Sequence, residues 1–270
     1  MTRIVLGIEY DGSLFSGWQY QNQRRTVQDE LEQALSKVAN QKIRVQCAGR
    51  TDSGVHAIEQ VVHFDTDANR QLDSWMMGGN VNLPEDVRII WAKPAIDDFH
   101  ARYSAIARYY RYVILNRKMK SALMRKQVTW CYTPLDETKM HEAAQILVGT
   151  HDFSSFRAQG CQSLSPNRIM HFIRVYREQE KVIIELSANA FLHHMVRNIA
   201  GVLIDIGSGD KPVSWVQQLL DLKDRKQGGV TASPYGLYLG GVYYPEKYGI
   251  DKHPVFDLLE ADVGRFEYKI

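Results

Sequence analysis

The sequence predicts an α+β fold: two ferredoxin-like halves, each reading β-α-β-β-α-β, whose strands form a mixed, mainly antiparallel central sheet. Three observations predict it. Period-2 segments and helix-period segments follow one another in the same order twice along the chain. The 270 residues are 44% hydrophobic and 24% charged, an ordinary globular composition. That length suits one large domain or two smaller ones sharing an interface. The halves show no sequence identity, so the repeat is one of pattern.

In the first half, "RIVLGIEYDG" reads as a strand closed by an Asp-Gly turn. Val27, Leu31, Ala34, Leu35 and Val38 then recur at helical spacing, and Thr26 with Asp29 makes a capping-box-like start. Ile43, Val45 and Cys47 alternate in "IRVQCAG", which reads as a second strand, and "AIEQVVHFDT" as a third. Residues 73–80 read as a short helix and "VRIIWAKP" as a fourth strand.

The second half opens with the strand "RYYRYVILN". Asp136 caps a helix with apolar positions Met140, Ala143, Ala144 and Leu147, ended by Gly149. "IMHFIRVYREQEKVIIELSAN" reads as a hairpin, and "GCQSLSPNR" (160–168) as the loop before it. Residues 190–206 form an apolar helix, 213–223 another after Pro212, and "GLYLGGVYY" the last strand. The join falls near 100–107. This sets a first domain over 1–104, a second over 105–247, and a tail over 248–270.

Net charge is only +2, but the basic residues are unevenly spread. Phe99 to Trp130 holds eight Arg or Lys and no acid; Phe153 to Arg177 holds four Arg and no acid. Two acid-free tracts in a near-neutral chain suit a polyanion on one face. Cys47, Cys131 and Cys161 are scattered and odd in number, which argues against a disulfide framework or a zinc site. Met1 leads straight into a strand, so a signal peptide and a membrane span are not expected, and the setting is expected to be cytoplasmic. P-loop, GxGxxG and GxSxG motifs are absent.

The stretch "CAGRTDSGVHA" (47–57) places Asp52 two residues after Arg50, between Gly49 and Gly54. Asp is a common turn-former, and that role would explain it. A carboxylate on a loop between core strands also suits a reacting group on a rigid scaffold. In "ARYYRY" (107–112), Arg108, Tyr110 and Tyr112 share one strand face. They read either as ordinary aromatic packing or as a base-stacking platform with phosphate-pairing arginines. Arg197 lies in a mostly apolar helix, where a carboxylate such as Asp52 is its natural partner. His193 and His194 are adjacent, so on a helix they would diverge by about 100° and would not make a metal pair.

"GRTDSGVHA" is similar to the signature of the tRNA pseudouridine synthase A family. "EYDGSLFSGWQYQ", "TVQDELEQAL", "NVNLPEDV", "DDFHARYSAIARYYRY", "DFSSFRA", "NAFLHHMVRNI" and "YGLYL" resemble further family blocks in family order, over about residues 4–245. The resemblance implies the pseudouridine synthase fold and an isomerase that needs no cofactor and no metal. It implies a homodimer acting on uridines 38, 39 and 40 of the tRNA anticodon stem-loop. It makes Asp52 the catalytic aspartate, as nucleophile or base, and Arg197 its partner. It makes Arg50 the base-flipping residue, Tyr110 the stacking ring and Leu237 a wall of the uracil pocket. Phe99, His100, Ala101, Arg102 and Tyr103 match one tRNA-contact loop, and Arg70 a further contact. Gln162, Ser163, Leu164, Ser165 and Pro166 match a second contact loop, which departs from the family pattern at Leu164 and Ser165.

Two other readings compete. A non-catalytic RNA-binding module or chaperone would explain the basic tracts but not an acid at their centre. A nucleosidase or hydrolase would explain Asp52 but not the tracts.

Overall fold

The computed structural model describes residues 1–251. The first half supplies strands β1 (Thr2–Tyr10), β2 (Gln46–Cys47), β3 (His56–Thr66) and β4 (Val87–Ala95), with helices α1 (Val27–Ala39) and α2 (Leu72–Asn82). The second supplies β5 (Ala107–Asn116), β6 (Thr129–Cys131), β7 (Gly149–Asp152), β8 (Asn167–Glu178), β9 (Lys181–Ala188) and β10 (Leu237–Tyr243). Its helices are α3 (Glu137–Gln145), α4 (Met195–Gly207) and α5 (Trp215–Leu222).

The strands join in one sheet of order β4-β1-β3-β10-β5-β9-β8-β7, with β2 on β3 and β6 on β5. Within it, β4-β1-β3-β2 and β10-β5-β9-β8 are the same ferredoxin-like order, once from each half. The halves meet where β10 runs parallel to the start of β3, pairing Tyr238 with His56 and Leu239 with Ala57. The α+β class and the mixed, mainly antiparallel sheet expected from the pattern are therefore present.

The helices bury the stripes that the spacing marked. Leu31 and Leu35 of α1, Trp75 of α2 and Leu203 of α4 are fully buried in one core that crosses the seam. Each such side chain contributes about 1.5–3 kcal/mol of burial. Asp136 caps α3 by accepting from the N–H groups of Thr138 and Lys139, as its position predicted.

Four local expectations need correction. Thr26 sits at the N-cap of α1, but its side chain makes no cap bond, and its buried hydroxyl has no hydrogen-bond partner among the described residues. Ile43 and Val45 are buried as their alternation predicted, yet only Gln46–Cys47 pairs as strand. The N–H of Ile43 goes to Ser36 Oγ (2.9 Å) and that of Val45 to Glu32 Oε1 (3.1 Å), so side chains of α1 take donors that a ladder would have used. Helix α3 ends at Gln145, and Gly149 opens β7 instead of closing the helix. Helix α4 begins at Met195, not at 190, which leaves 189–194 as a connection.

Among the described residues no helix is long and apolar enough to cross a membrane. The tail expected over 248–270 lies outside the described residues from position 252 onward.

Candidate active site

One edge of β3 is shared between two partners. β2 pairs with it at Cys47–Val62, and β10 pairs with it at His56. Residues 48–55 leave the sheet between those two pairings, at the seam of the halves. Asp52 sits on this loop, where side chains from both halves reach it.

The loop is fixed from below. Gln60 on β3 grips Gly49 at both ends, donating to its carbonyl (2.6 Å) and accepting from its N–H (3.4 Å). Tyr10 and Thr51 join hydroxyls at 2.7 Å, and Trp18 N–H donates to the Thr51 carbonyl at 3.0 Å. His56 receives the Gly12 N–H at Nδ1, and its Nε2 faces the Lys126 and Tyr235 carbonyls at 2.8 and 3.1 Å. Gly17, at φ +93°, lies so close that a Cβ would stand 2.8 Å from the Thr51 carbonyl oxygen. A reacting carboxylate gains from such fixed support, because it need not be ordered at the moment of reaction.

Arg197 on α4 donates from Nη1 to Asp52 Oδ2 at 3.1 Å, and from Nε to the Ala232 carbonyl at 2.8 Å. The pairing expected from the apolar setting of Arg197 is present. The expected divergence of the two histidines is not. They precede α4, and His194 adopts a left-handed backbone at φ 61°, ψ 5°. Their rings lie 4.0 Å apart. His194 Nε2 is 3.3 Å from Asp52 Oδ2, and His193 Nε2 is 3.4 Å from Oδ1.

The loop opens into a cleft of about 1200 Å³. Tyr110 and Leu237 line it; both are buried in adjacent strands, with Leu239 opposite Tyr110. The Tyr110 ring meets Phe191 edge-on at 4.9 Å. Burial drives its phenol well above the usual range; Arg108 pulls it back and the Asp52 charge adds to the rise. Tyr110 is therefore a neutral ring at working pH. Arg50 is exposed on the cleft rim, and among the described residues no carboxylate pairs with it.

The phosphate-pairing reading of Arg108 is corrected. It is buried, and its guanidinium donates to the carbonyls of Ala48, Arg102, Ala105 and Asn189 at 2.6–3.1 Å. It ties the Asp52 loop to the loop before β5. Sequence reasoning assigned no function to His193, His194 or Phe191, although all three stand in the block "NAFLHHMVRNI" that drew attention to Arg197.

A profile of the tRNA pseudouridine synthase family matches residues 7–104 and 143–245. The tRNA pseudouridine synthase A of Methylococcus capsulatus is 62% identical over 265 residues, covering 98% of each chain. That of Coxiella burnetii is 56% identical over 255 residues, 94% of this chain and 98% of the relative. That of Alcanivorax borkumensis is 55% identical over 263 residues, 97% of this chain and 98% of the relative. The chain belongs to the tRNA pseudouridine synthase family. It is an isomerase of uridine in tRNA.

The contact loops that the family resemblance implied are placed unevenly. His100, Arg102 and Tyr103 line the cleft, with Tyr103 76% exposed. Phe99 and Ala101 do not reach solvent: Phe99 packs on Tyr244 and Tyr248, so both anchor the loop from the core side. Gln162 and Ser163 also line the cleft, held by Arg157 on the Ser163 carbonyl (2.7 Å) and Arg168 on its hydroxyl (2.6 Å). Leu164 is fully exposed beside them, and Ser165 and Pro166 complete the loop outside the cleft lining. Arg70 is not brought to the cleft; it donates to the Val38 carbonyl at the end of α1.

The ligand atoms of Asp52, His193 and His194 lie within 4.8 Å of one another, a spacing that an ion could use. The Arg197 guanidinium already occupies Asp52 Oδ2, so a cation there would meet a full positive charge.

Proposed function

We propose that the protein converts uridines 38, 39 and 40 of the tRNA anticodon stem-loop to pseudouridine by base flipping, with Asp52 as the catalytic carboxylate. The observation that carries this reading is the Asp52–Arg197 pair, 3.1 Å apart, in a cleft rimmed by arginines and walled by Tyr110.

The reaction breaks the bond from uracil N1 to ribose C1′ and makes one from C5 to C1′. C5 loses a proton and N1 gains one. No atom is added and there is no net oxidation or reduction, so the chemistry calls for no cofactor and no metal. A lone carboxylate serves it either by attacking C1′ or by removing the proton at C2′, and both begin from the ionised form. Arg197 places a full positive charge 3.1 Å from the carboxylate in a partly closed site.

A stacked uridine must first be extruded, at a cost of a few kcal/mol. Tyr110 offsets this by stacking on the flipped ring, worth about 1–3 kcal/mol. Leu237 walls the same pocket, and Arg50 on the rim pairs with the displaced backbone. His100, Arg102, Tyr103, Gln162 and Ser163 hold the RNA along the cleft. Residues 1–104 thus bring the aspartate, and 105–247 the ring and most of the basic surface. Three free cysteines suit a cytoplasmic setting. The homodimer, with the tRNA straddling both subunits, is carried over from the resemblance, and sedimentation velocity checks it.

The test is tritium release from C5-tritiated uridine in unmodified tRNA. Wild type should release it, and Asp52→Asn should bind tRNA yet release none. Tight, salt-sensitive binding by wild type without release would leave only an RNA-binding module.

A further inference from the structure

We infer that His194 is a positioning residue for Asp52, holding the carboxylate through a neutral imidazole, and that a proton added to this ring switches the carboxylate off. The inference rests on Asp52 being the reacting group.

Three nitrogens face the carboxylate. Arg197 Nη1 and His194 Nε2 share Oδ2 at 3.1 and 3.3 Å, and His193 Nε2 stands 3.4 Å from Oδ1. The arrangement depends on the backbone. His194 has φ 61°, a region that residues with a Cβ seldom occupy, and its carbonyl accepts the Asn198 N–H at 2.9 Å to begin α4. An extended or helical residue there would send the two rings apart. Backbone held in such a region tends to mark functional sites.

The groups facing His194 decide its charge. Burial lowers its proton affinity most; Asp52 raises it, while His193 beside it, Arg197 on α4 and Arg225 on the short turn after α5 lower it again. The net effect is below the ordinary histidine value of 6.5, so the ring is neutral at neutral pH. A neutral ring this close to a carboxylate oxygen presents N–H at Nε2, since two lone pairs would repel, and Nδ1 is then unprotonated. The positive end of that N–H dipole, with Nε2 3.3 Å from Oδ2, steadies the carboxylate without cancelling its charge. Protonation at Nδ1 would instead set a second full positive charge beside Arg197 on the same oxygen. Its basicity and nucleophilicity would fall.

The test is single-turnover kinetics with excess full-length enzyme on unmodified tRNA, from about pH 5 to about pH 8.5, where histidines titrate. Wild type should slow on the acid side with a midpoint below 6.5. His194→Gln, an uncharged donor, should stay within about tenfold of wild type at neutral pH and move the acid limb to lower pH. His194→Ala should lose about 10²-fold in rate while tRNA affinity changes less than about threefold. An acid limb in His194→Gln identical to wild type overturns the inference, as does equal slowing of both variants at every pH. Histidine ¹⁵N NMR of wild type needs no variant: a His194 ring charged at neutral pH also overturns it. Full activity in Asp52→Asn would remove the functional reading itself, whatever His194 does.

Discussion

Arg197 bridges two connections that the sheet alone would leave independent: its Nη1 holds Asp52 Oδ2 at 3.1 Å while its Nε holds the Ala232 carbonyl at 2.8 Å. Charge and position are therefore set by one side chain. Arg197→Met should cut kcat by about 10²-fold, the scale of losing one aimed donor in a partly closed site. It also removes one of the positive charges that hold the His194 ring below its ordinary value. That change pushes the acid limb of the pH–rate profile to higher pH. Arg197→Lys restores a charge but cannot make both bonds, so it should recover the profile more than the rate. A profile that stays in place in Arg197→Met would show that the guanidinium does not hold the His194 ring below its ordinary value.

Tyr110 offers its ring, not its hydroxyl, because burial keeps the phenol protonated far above working pH. Tyr110→Phe should retain most of the single-turnover rate. Tyr110→Ala should slow turnover by about 10–10²-fold, since it loses a stacking partner worth about 1–3 kcal/mol and opens a gap against Phe191. Equal loss in both would assign the work to the hydroxyl.

The order of elements was legible because α1, β3 and the β8–β9 hairpin each carry a clean period that tertiary packing only had to confirm. The pairing of Asp52 with Arg197 was legible from charge in an apolar setting. Short pieces were not: β6 is three residues long and gains its place only by parallel pairing with β5. The truncated β2 depends on Glu32 and Ser36 taking backbone donors, which no local pattern reveals. His194 escaped because its left-handed turn is decided by where α4 begins. Arg108 misled because a guanidinium satisfied by four carbonyls looks, in sequence, like any basic residue on a strand.

Gly17 marks how tightly the Asp52 loop is packed from behind. Its φ of +93° disfavours any side chain, and a Cβ would press on the Thr51 carbonyl oxygen at 2.8 Å. Gly17→Ala should cost about 1–2 kcal/mol from the backbone alone. Because the clash falls one residue from Asp52, kcat should drop more than tRNA affinity. Denaturant unfolding and single-turnover rates measured together check this. A stability loss with unchanged kcat would mean that the loop tolerates displacement.

His63 ties the contact loop at 99–103 to pH. It is 1% exposed, and its Nδ1 accepts the Ala101 N–H at 3.1 Å. Burial, then His100 and Arg3, lower its folded value from 6.5 to about 4, with Asp65 pulling the other way. A histidine depressed on folding binds protons more readily in the unfolded chain, so the stability it contributes is complete above about pH 6.5 and is lost as pH falls toward about 4. Protonation at Nδ1 also removes the acceptor for Ala101, which frees the loop that presents Arg102 and Tyr103. Thermal midpoints should therefore fall across that window, with amide exchange at Ala101 rising in step. His63→Gln, which keeps an acceptor without a titrating ring, should flatten both curves. If the wild-type and His63→Gln curves run parallel from neutral pH to about 4, the acid sensitivity belongs to other groups.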